Sequence, residues 1–314
     1  MRTLLFDTDP GVDDAVALAY LLSRPDCELV AVTAVHGNAP VATTADNARA
    51  LLRLAGREDV PVAIGAARPL AQEPAYAPEV HGEDGLGGQR ALLGPPTPPS
   101  GSRAVDEILR QSERHPGRLD ILATGPLTNL ALALLCDPEL PRRVRSVTLM
   151  GGAFDMPGNV THAAEANIYH DPEAADLVFA APWPVTAVGL DVTLRVALEE
   201  EDIASLAASD HPLLAAVGRM CAHYAEFYRR FLGRRAAPQH DALAACALFA
   251  PHLFTLRRRR VRVERRGEYT RGMTVSLRGG AGEAETAVAV DVQAEEARRH
   301  ILESLAALAE AGRR

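Results

Sequence analysis

The sequence predicts an α/β fold: an open, mostly parallel sheet with helices on both faces and a Rossmann-like core. Three observations lead there. Short β-branched or leucine-rich runs alternate with helical stretches along the first 190 residues. Each run ends in Gly, Asp or Thr, the residues that close strands. At 314 residues the chain can bury a large core. Parallel strands need crossover helices, which cover both faces of the sheet, so the alternation and the layering agree.

The elements follow in order. TLLFD reads as the first buried strand, and 13–23 as the helix after it. ELVAVTAV, helix 43–55 and VPVAIG continue the pattern. LDILATG, VRSVTLMGG and WPVTAVGLDV are the later strands, with helices at 102–115, 126–135 and 171–180 among them. Past residue 198 helical segments dominate to about 250. LRRRRVRVERR alternates like a half-exposed strand, read as a solvated or subunit-contact face. Two further short strands and a helix near 293–311 end the chain. ALLGPPTPPSGS at 91–102 is the most loop-like stretch, yet the helix after it returns to the sheet pattern. The reading is a single domain over 1–314 with a lid-like excursion at about 66–101, since long loops in compact domains often close over sites.

Composition removes several function classes. The formal net charge is −8, which argues against a nucleic-acid or anionic-membrane binder. Every basic residue is arginine; the absence of lysine removes Schiff-base chemistry and a P-loop lysine. Cys27, Cys136, Cys221 and Cys246 lie far apart and read as buried free thiols rather than a zinc site or disulfide framework. The chain starts directly with the strand-like MRTLLFDTD and has no apolar run of spanning length, so a cytoplasmic location is expected.

Ligands of open parallel sheets bind beyond the carboxyl ends of the strands. The residues there are Asp7 and Asp9, His36-Gly37-Asn38, Thr124-Gly125, Gly151-Gly152 and Asp191. DTDPGVDD (7–14) concentrates four carboxylates around a Pro-Gly turn. Strand alternation puts Asp7 and Asp9 on one face, and Asp13 and Asp14 open the next helix, where the dipole favours anions. A hard cation would offset their repulsion; oxygen-only ligands select Ca²⁺ or Mg²⁺ over zinc. Helix capping with a solvated acidic turn is the plainer alternative. A phosphatase opening on DxD is a third, but it uses a lysine that this chain lacks.

DTDPGVDDAVAL closely resembles the N-terminal signature of the nucleoside N-ribohydrolases, the inosine–uridine-preferring group. HGN (36–38), HGEDGLGG (81–88), ATGPLTNLALAL (123–134), VTLMGGAF (147–154), GNVTHAAEANIYHDPEAA (158–175) and HDALA (240–244) resemble further segments of that family, in its order. The resemblance implies the nucleoside hydrolase fold and Ca²⁺-dependent hydrolysis of the N-glycosidic bond of ribonucleosides, giving ribose and free base. It implies Ca²⁺ ligands Asp9, Asp14, the Thr124 carbonyl and Asp241, with Asp9 also taking the proton of the attacking water. Asp13, Asn38, Asn159, Glu165 and Asn167 would bind the ribose. His81, by its place in the lid-like excursion, is read either as closing over the site or as a simple loop histidine. His240 would assist the leaving base. The partner is a small ribonucleoside, with neither nucleic acid nor membrane, in a homodimer or homotetramer.

Tyr224, Phe227, Tyr228 and Phe231 recur at spacings of three and four. They form either a core-packing face or a base-contacting one, and Tyr228 is the residue expected to touch the base. Family members carry Pro-Ala-Ala-Glu-Phe-Asn where this chain has His162 and Ala166 in the proline and phenylalanine positions. Those departures leave two alternatives open: a divergent hydrolase of an unusual ribosyl compound, and a non-catalytic nucleoside or ribose sensor.

Overall fold

The chain opens on β1 (Arg2–Thr8), whose side chains are buried on both faces from Leu4 on, as the continuous apolar run requires. A computed structural model describes residues 1–95, 101–277 and 284–311. α1 (Val12–Ser23), β2 (Cys27–Ala34), α2 (Val41–Leu54) and β3 (Val62–Ile64) follow. Among its described residues the 66–101 excursion holds the short α3 (Pro78–His81) and a 3₁₀ turn at Arg90–Leu93; its residues 96–100 lie outside the described residues.

The chain re-enters with α4 (Ala104–Arg114), β4 (Leu119–Ala123), α5 (Thr128–Cys136), α6 (Leu140–Arg143) and β5 (Val144–Met150). Next come α7 (Ala166–His170), α8 (Pro172–Ala180), β6 (Val185–Val188) and α9 (Leu190–Thr193). The predicted strand 183–192 therefore breaks: Gly189 ends the sheet pairing and Leu190–Thr193 turns into helix. β7 (Ala197–Glu199), α10 (Glu200–Ala207), α11 (Pro212–Leu232), β8 (Ala236–Pro238) and α12 (His240–Phe249) make up the helix-rich part. β7 and β8 pair antiparallel as a separate sheet, too short to leave a period in the sequence. β9 (Phe254–Val263), β10 (Thr274–Leu277), β11 (Thr286–Val292) and α13 (Ala294–Ala311) complete the chain.

Among the described residues the main sheet has nine strands in the order β10-β9-β11-β6-β5-β4-β1-β2-β3. β3 through β11 run parallel in this order, and β9 is antiparallel to both its neighbours. One apolar core lies between the sheet and α1, α2, α11, α12 and α13; a second lies under α4, α5 and α8 on the other face. The arginine-rich strand is half as expected. Residues 255–258 are exposed, but Arg262 pairs with Asp176 and Arg259 with Asp155. All four cysteines are free; Cys221 and Cys246 are buried, whereas Cys27 is half-buried and Cys136 is exposed at the end of α5, correcting the expectation of four buried thiols. Among the described residues no helix is long and apolar enough to cross a membrane.

From β1 the chain winds outward to β2 and β3, then returns to place β4 on the other side of β1. That reversal opens a crevice between the carboxyl ends of β1 and β4. Asp9 and Thr124 stand there.

Candidate active site

Two helix N-termini meet at the crevice. α1 carries Asp13 and Asp14 in its first turn and α12 carries Asp241; both dipoles favour negative charge at these positions. Carboxylate oxygens of Asp13, Asp14 and Asp241 all lie within 4.8 Å of one another, and all three residues are buried. Asp14 is the most firmly held. Its Oδ1 accepts from Thr8 Oγ1 and from Thr124 Oγ1 (2.8 Å); its Oδ2 accepts from the Gly11 N–H (2.9 Å) and Asn38 Nδ2 (3.2 Å).

Asp9 sits between two glycines. A Cβ on Gly37 would fall 1.9 Å from its Oδ2, and one on Gly125 2.7 Å from its Oδ1. Oδ2 accepts from the Asn38 N–H at 2.7 Å, while Oδ1 is buried with no hydrogen-bond partner among the described residues. Burial pushes Asp9 and Asp241 well above the usual carboxylate range, and the neighbouring aspartates add to it. Burial and the Asp14 charge push Asp13 up to about 8, and burial raises Asp14.

Four buried carboxylates with an unpartnered oxygen among them fit a divalent cation, whose charge would restore their ionised forms. The donors are oxygens only, the chemistry of a hard cation. The carboxylate triad contains Asp13 where the resemblance implied Asp9 as the ligand. The Thr124 carbonyl, the fourth implied ligand, accepts from Asn167 Nδ2 at 2.7 Å here. Asp7 turns away from the group: its Oδ1 accepts from Thr33 Oγ1 (2.5 Å) and Asn129 Nδ2 (2.8 Å). β1 ends at Thr8, so the alternation that would align Asp7 with Asp9 stops between them.

The predicted sugar residues divide. Glu165 is buried at the N-cap of α7, its carboxylate accepting from the Gly152, Asn167 and Ile168 N–H groups; burial nonetheless raises it. Asn167 lies beside it. Asn159 stands on the exposed rim, where its Oδ1 accepts from the Ala166 N–H (3.0 Å). His162 is exposed and Ala166 half-buried. The Asn38 amide is directed at the loop, donating to the Asp9 carbonyl and to Asp14. His81 is buried, and its Nδ1 accepts from the Val12 N–H at 3.2 Å. That bond fixes the neutral ring as the Nε2–H tautomer, and burial holds its pKa down at about 3.

The aromatic face of α11 is only partly core. Tyr224 and Tyr228 are buried, whereas Phe231 is 66% exposed. Tyr228 OH lies 3.0 Å from His240 Nε2, and Tyr224 OH donates to Asp13 Oδ2 at 3.3 Å. Burial lowers His240 to about 4, so its ring is neutral near pH 7. Sequence reasoning missed Thr193, which meets His240 Nδ1 at 2.7 Å. It also left Tyr224 undistinguished within its face, although Tyr224 precedes Tyr228 by one turn. Asp191 caps a loop instead of joining the site, accepting from the Phe154 and Asp155 N–H groups.

A carboxylate cluster, an acid-and-amide pair and a Tyr-His pair at the carboxyl edge of a parallel sheet form the site of a glycosidase-type hydrolase. The family profile for inosine-uridine preferring nucleoside hydrolases matches residues 4–299, and the chain belongs to that family: it is a ribonucleoside hydrolase, a glycosidase acting on N-glycosyl compounds. It is 40% identical over 295 residues to a pyrimidine-specific ribonucleoside hydrolase RihA of Citrobacter koseri, covering 92% of this chain and 94% of that one. Its structure is similar to that of a plant nucleoside hydrolase, PpNRh1 (TM-score 0.92, 35% identity, 97% and 98% of the two chains). It is also similar to a purine-preferring ribonucleoside hydrolase from Gardnerella vaginalis (TM-score 0.92, 30% identity, 99% and 100% covered).

Proposed function

We propose that this chain hydrolyses pyrimidine ribonucleosides to ribose and free base, with Ca²⁺ held at the carboxylate cluster. The observation that carries the reading is the buried Asp13–Asp14–Asp241 triad with Asp9 and its unpartnered Oδ1 beside it. The base preference is supported by the pyrimidine-specific relative at 40% identity, against 30% for the purine-preferring structure.

Asp9, Asp14, Asp241 and the Thr124 carbonyl would hold the ion. When bound, it lowers the pKa of a coordinated water and offsets the repulsion among the carboxylates. Asp9 accepts the proton of the attacking water through Oδ1, the oxygen with no other partner. Asp13, Asn159, Asn167 and His81 hold the ribose hydroxyls, His81 as an Nε2–H donor, while Asn38 holds Asp9 and Asp14 in place. The C1′–N bond breaks with its electron pair passing to the base nitrogen. Positive charge develops on the ribose ring, and Glu165, held by three backbone N–H groups, faces it with negative charge. Tyr228 and His240 face the departing base. The single domain acts as a homodimer or homotetramer.

Release of reducing sugar from uridine, cytidine, inosine, guanosine and nicotinamide riboside, each with and without a chelator, tests the proposal. Metal-dependent release with uridine or cytidine fastest is expected. Nicotinamide riboside as the best substrate would favour the divergent hydrolase and make Ala166 and His162 the residues to explain. Tight uridine binding without turnover in calcium would favour the sensor.

A further inference from the structure

His240 is held at both ring nitrogens. Thr193 Oγ1 lies 2.7 Å from Nδ1 and Tyr228 OH lies 3.0 Å from Nε2. A neutral imidazole carries one proton, so one nitrogen donates and the other accepts. Distances alone do not choose between the two arrangements; the surroundings do.

Thr193 is fully buried, and its hydroxyl has no second hydrogen-bond partner among the described residues. Were Nδ1 protonated, Thr193 would accept from it and its own O–H would be sealed in the protein without an acceptor, which is costly. With Thr193 donating to Nδ1, the ring carries its proton at Nε2 and donates to the Tyr228 oxygen. The surplus proton then sits on the Tyr228 hydroxyl. Tyr228 keeps 8% exposure where Thr193 has none. Its ring lies 4.8 Å from Tyr224, whose hydroxyl is directed at Asp13 in the site. A proton on that side has the Tyr224 hydroxyl and the Asp13 side of the site to meet; one on Thr193 would have no acceptor.

The clamp is rigid at its far end. α9 follows β6 directly and is tied to the 151–155 loop, through the Leu190 N–H to the Gly152 carbonyl (2.9 Å) and through Asp191. Thr193 is therefore presented to the ring by backbone fixed independently of the base pocket.

We propose that Thr193 is a positioning residue that fixes His240 as the Nε2–H tautomer and so turns the Tyr228 hydroxyl proton toward the leaving base. The proposal rests on the glycosidase reading of the site. Without the Thr193 hydroxyl the ring can take either tautomer. In the Nδ1–H form Tyr228 donates to Nε2, and its proton points away from the base.

Thr193→Val removes the hydroxyl at nearly constant volume, and Thr193→Ser restores it. In ¹⁵N-histidine-labelled protein, with the His240 signals assigned by their loss in His240→Gln, the wild type is expected to show an unprotonated Nδ1 and a protonated Nε2. Thr193→Val should give a tautomer mixture and Thr193→Ser the wild-type pattern. In turnover, Thr193→Val should lower kcat on uridine by about 10²-fold, the scale of one proton-donating group. KM should be unchanged and a nitrophenyl riboside, whose leaving group needs no proton, should be spared. A protonated Nδ1 in the wild type, or equal losses on both substrates, overturns the proposal. If Thr193→Val does not fold, the wild-type tautomer alone decides it. Wild-type protein inert toward both ribosides would instead refute the glycosidase reading, and the tautomer measurement would still stand.

Discussion

Replacing Gly37 with alanine tests whether Asp9 must stay where the fold puts it. The added Cβ would lie 1.9 Å from Asp9 Oδ2, whereas ordinary contact begins at 3.4 Å. One of the two must give way by about 1.5 Å. The loop side is poorly placed to move, because the same Cβ would also lie 2.8 Å from Pro126 Cδ. Asp9 therefore shifts and loses its 2.7 Å bond from the Asn38 N–H. Misplacement of a catalytic group by 1 Å can cost about 10²-fold in rate, so Gly37→Ala should lower kcat by at least ~10²-fold. Gly125→Ala, with its Cβ 2.7 Å from Asp9 Oδ1, needs a shift about half as large and should lose less. Gly56 supplies the control. Its φ is +65° with nothing within 4 Å of a new Cβ, so alanine there strains only the backbone; it should cost ~1 kcal/mol of stability and leave kcat alone. The assay is reducing-sugar release at saturating uridine, with thermal melting on the same samples. A Gly37→Ala enzyme with kcat within a factor of two of wild type, or a Gly56→Ala enzyme that loses as much activity, would refute a fixed placement of Asp9.

Three further outcomes are expected. Asp9→Asn should lower kcat by roughly 10²–10⁴-fold, and near-normal turnover would remove Asp9 as the base. Asp241→Asn should raise the Tm of metal-stripped protein, because it removes a buried acid whose pKa folding pushes up, and abolish the rise that calcium produces; in the wild type that rise is worth about 2.7 kcal/mol at a hundred times Kd. A variant that calcium stabilises as well as the wild type would exclude Asp241 from the ion's ligands. His170, buried at the end of α7, has its pKa lowered by burial to about 4 from an unfolded value near 6.5. The unfolded chain therefore takes the proton first: stability from this group is complete above pH 6.5 and is lost as pH falls toward 4. At pH 5 the loss is about 2 kcal/mol, or roughly 3 °C in a chain of this length. His170→Phe should remove that part of the drop between pH 8 and pH 5, and identical drops in the two proteins would contradict the assignment.

The class of fold and the address of the site were legible along the chain. Alternation of buried runs with helical stretches is a local property, set by the period of each element, and it survives in the observed strand order. The Pro-Gly turn between Asp9 and Asp13, and the run His240-Asp241, placed carboxylates at a strand end and at two helix N-termini because a strand end and the first turn of a helix are adjacent in the chain. The partners of those side chains were another matter. Asp7, to which the sequence assigned no ligand role, does not share a face with Asp9 because β1 stops at Thr8 and its carboxylate meets Asn129, 122 residues away. Asp13 joined Asp14 and Asp241 because α11 and α12 bring Tyr224 and Asp241 to the start of α1. Thr193 carries no motif at all, and it matters only because a break after β6 turns it toward a histidine 47 positions later. Spacing along the chain sets which residues share an element, whereas the donor, acceptor or charge that each one faces is set by packing between elements far apart in sequence, and only the folded chain supplies that.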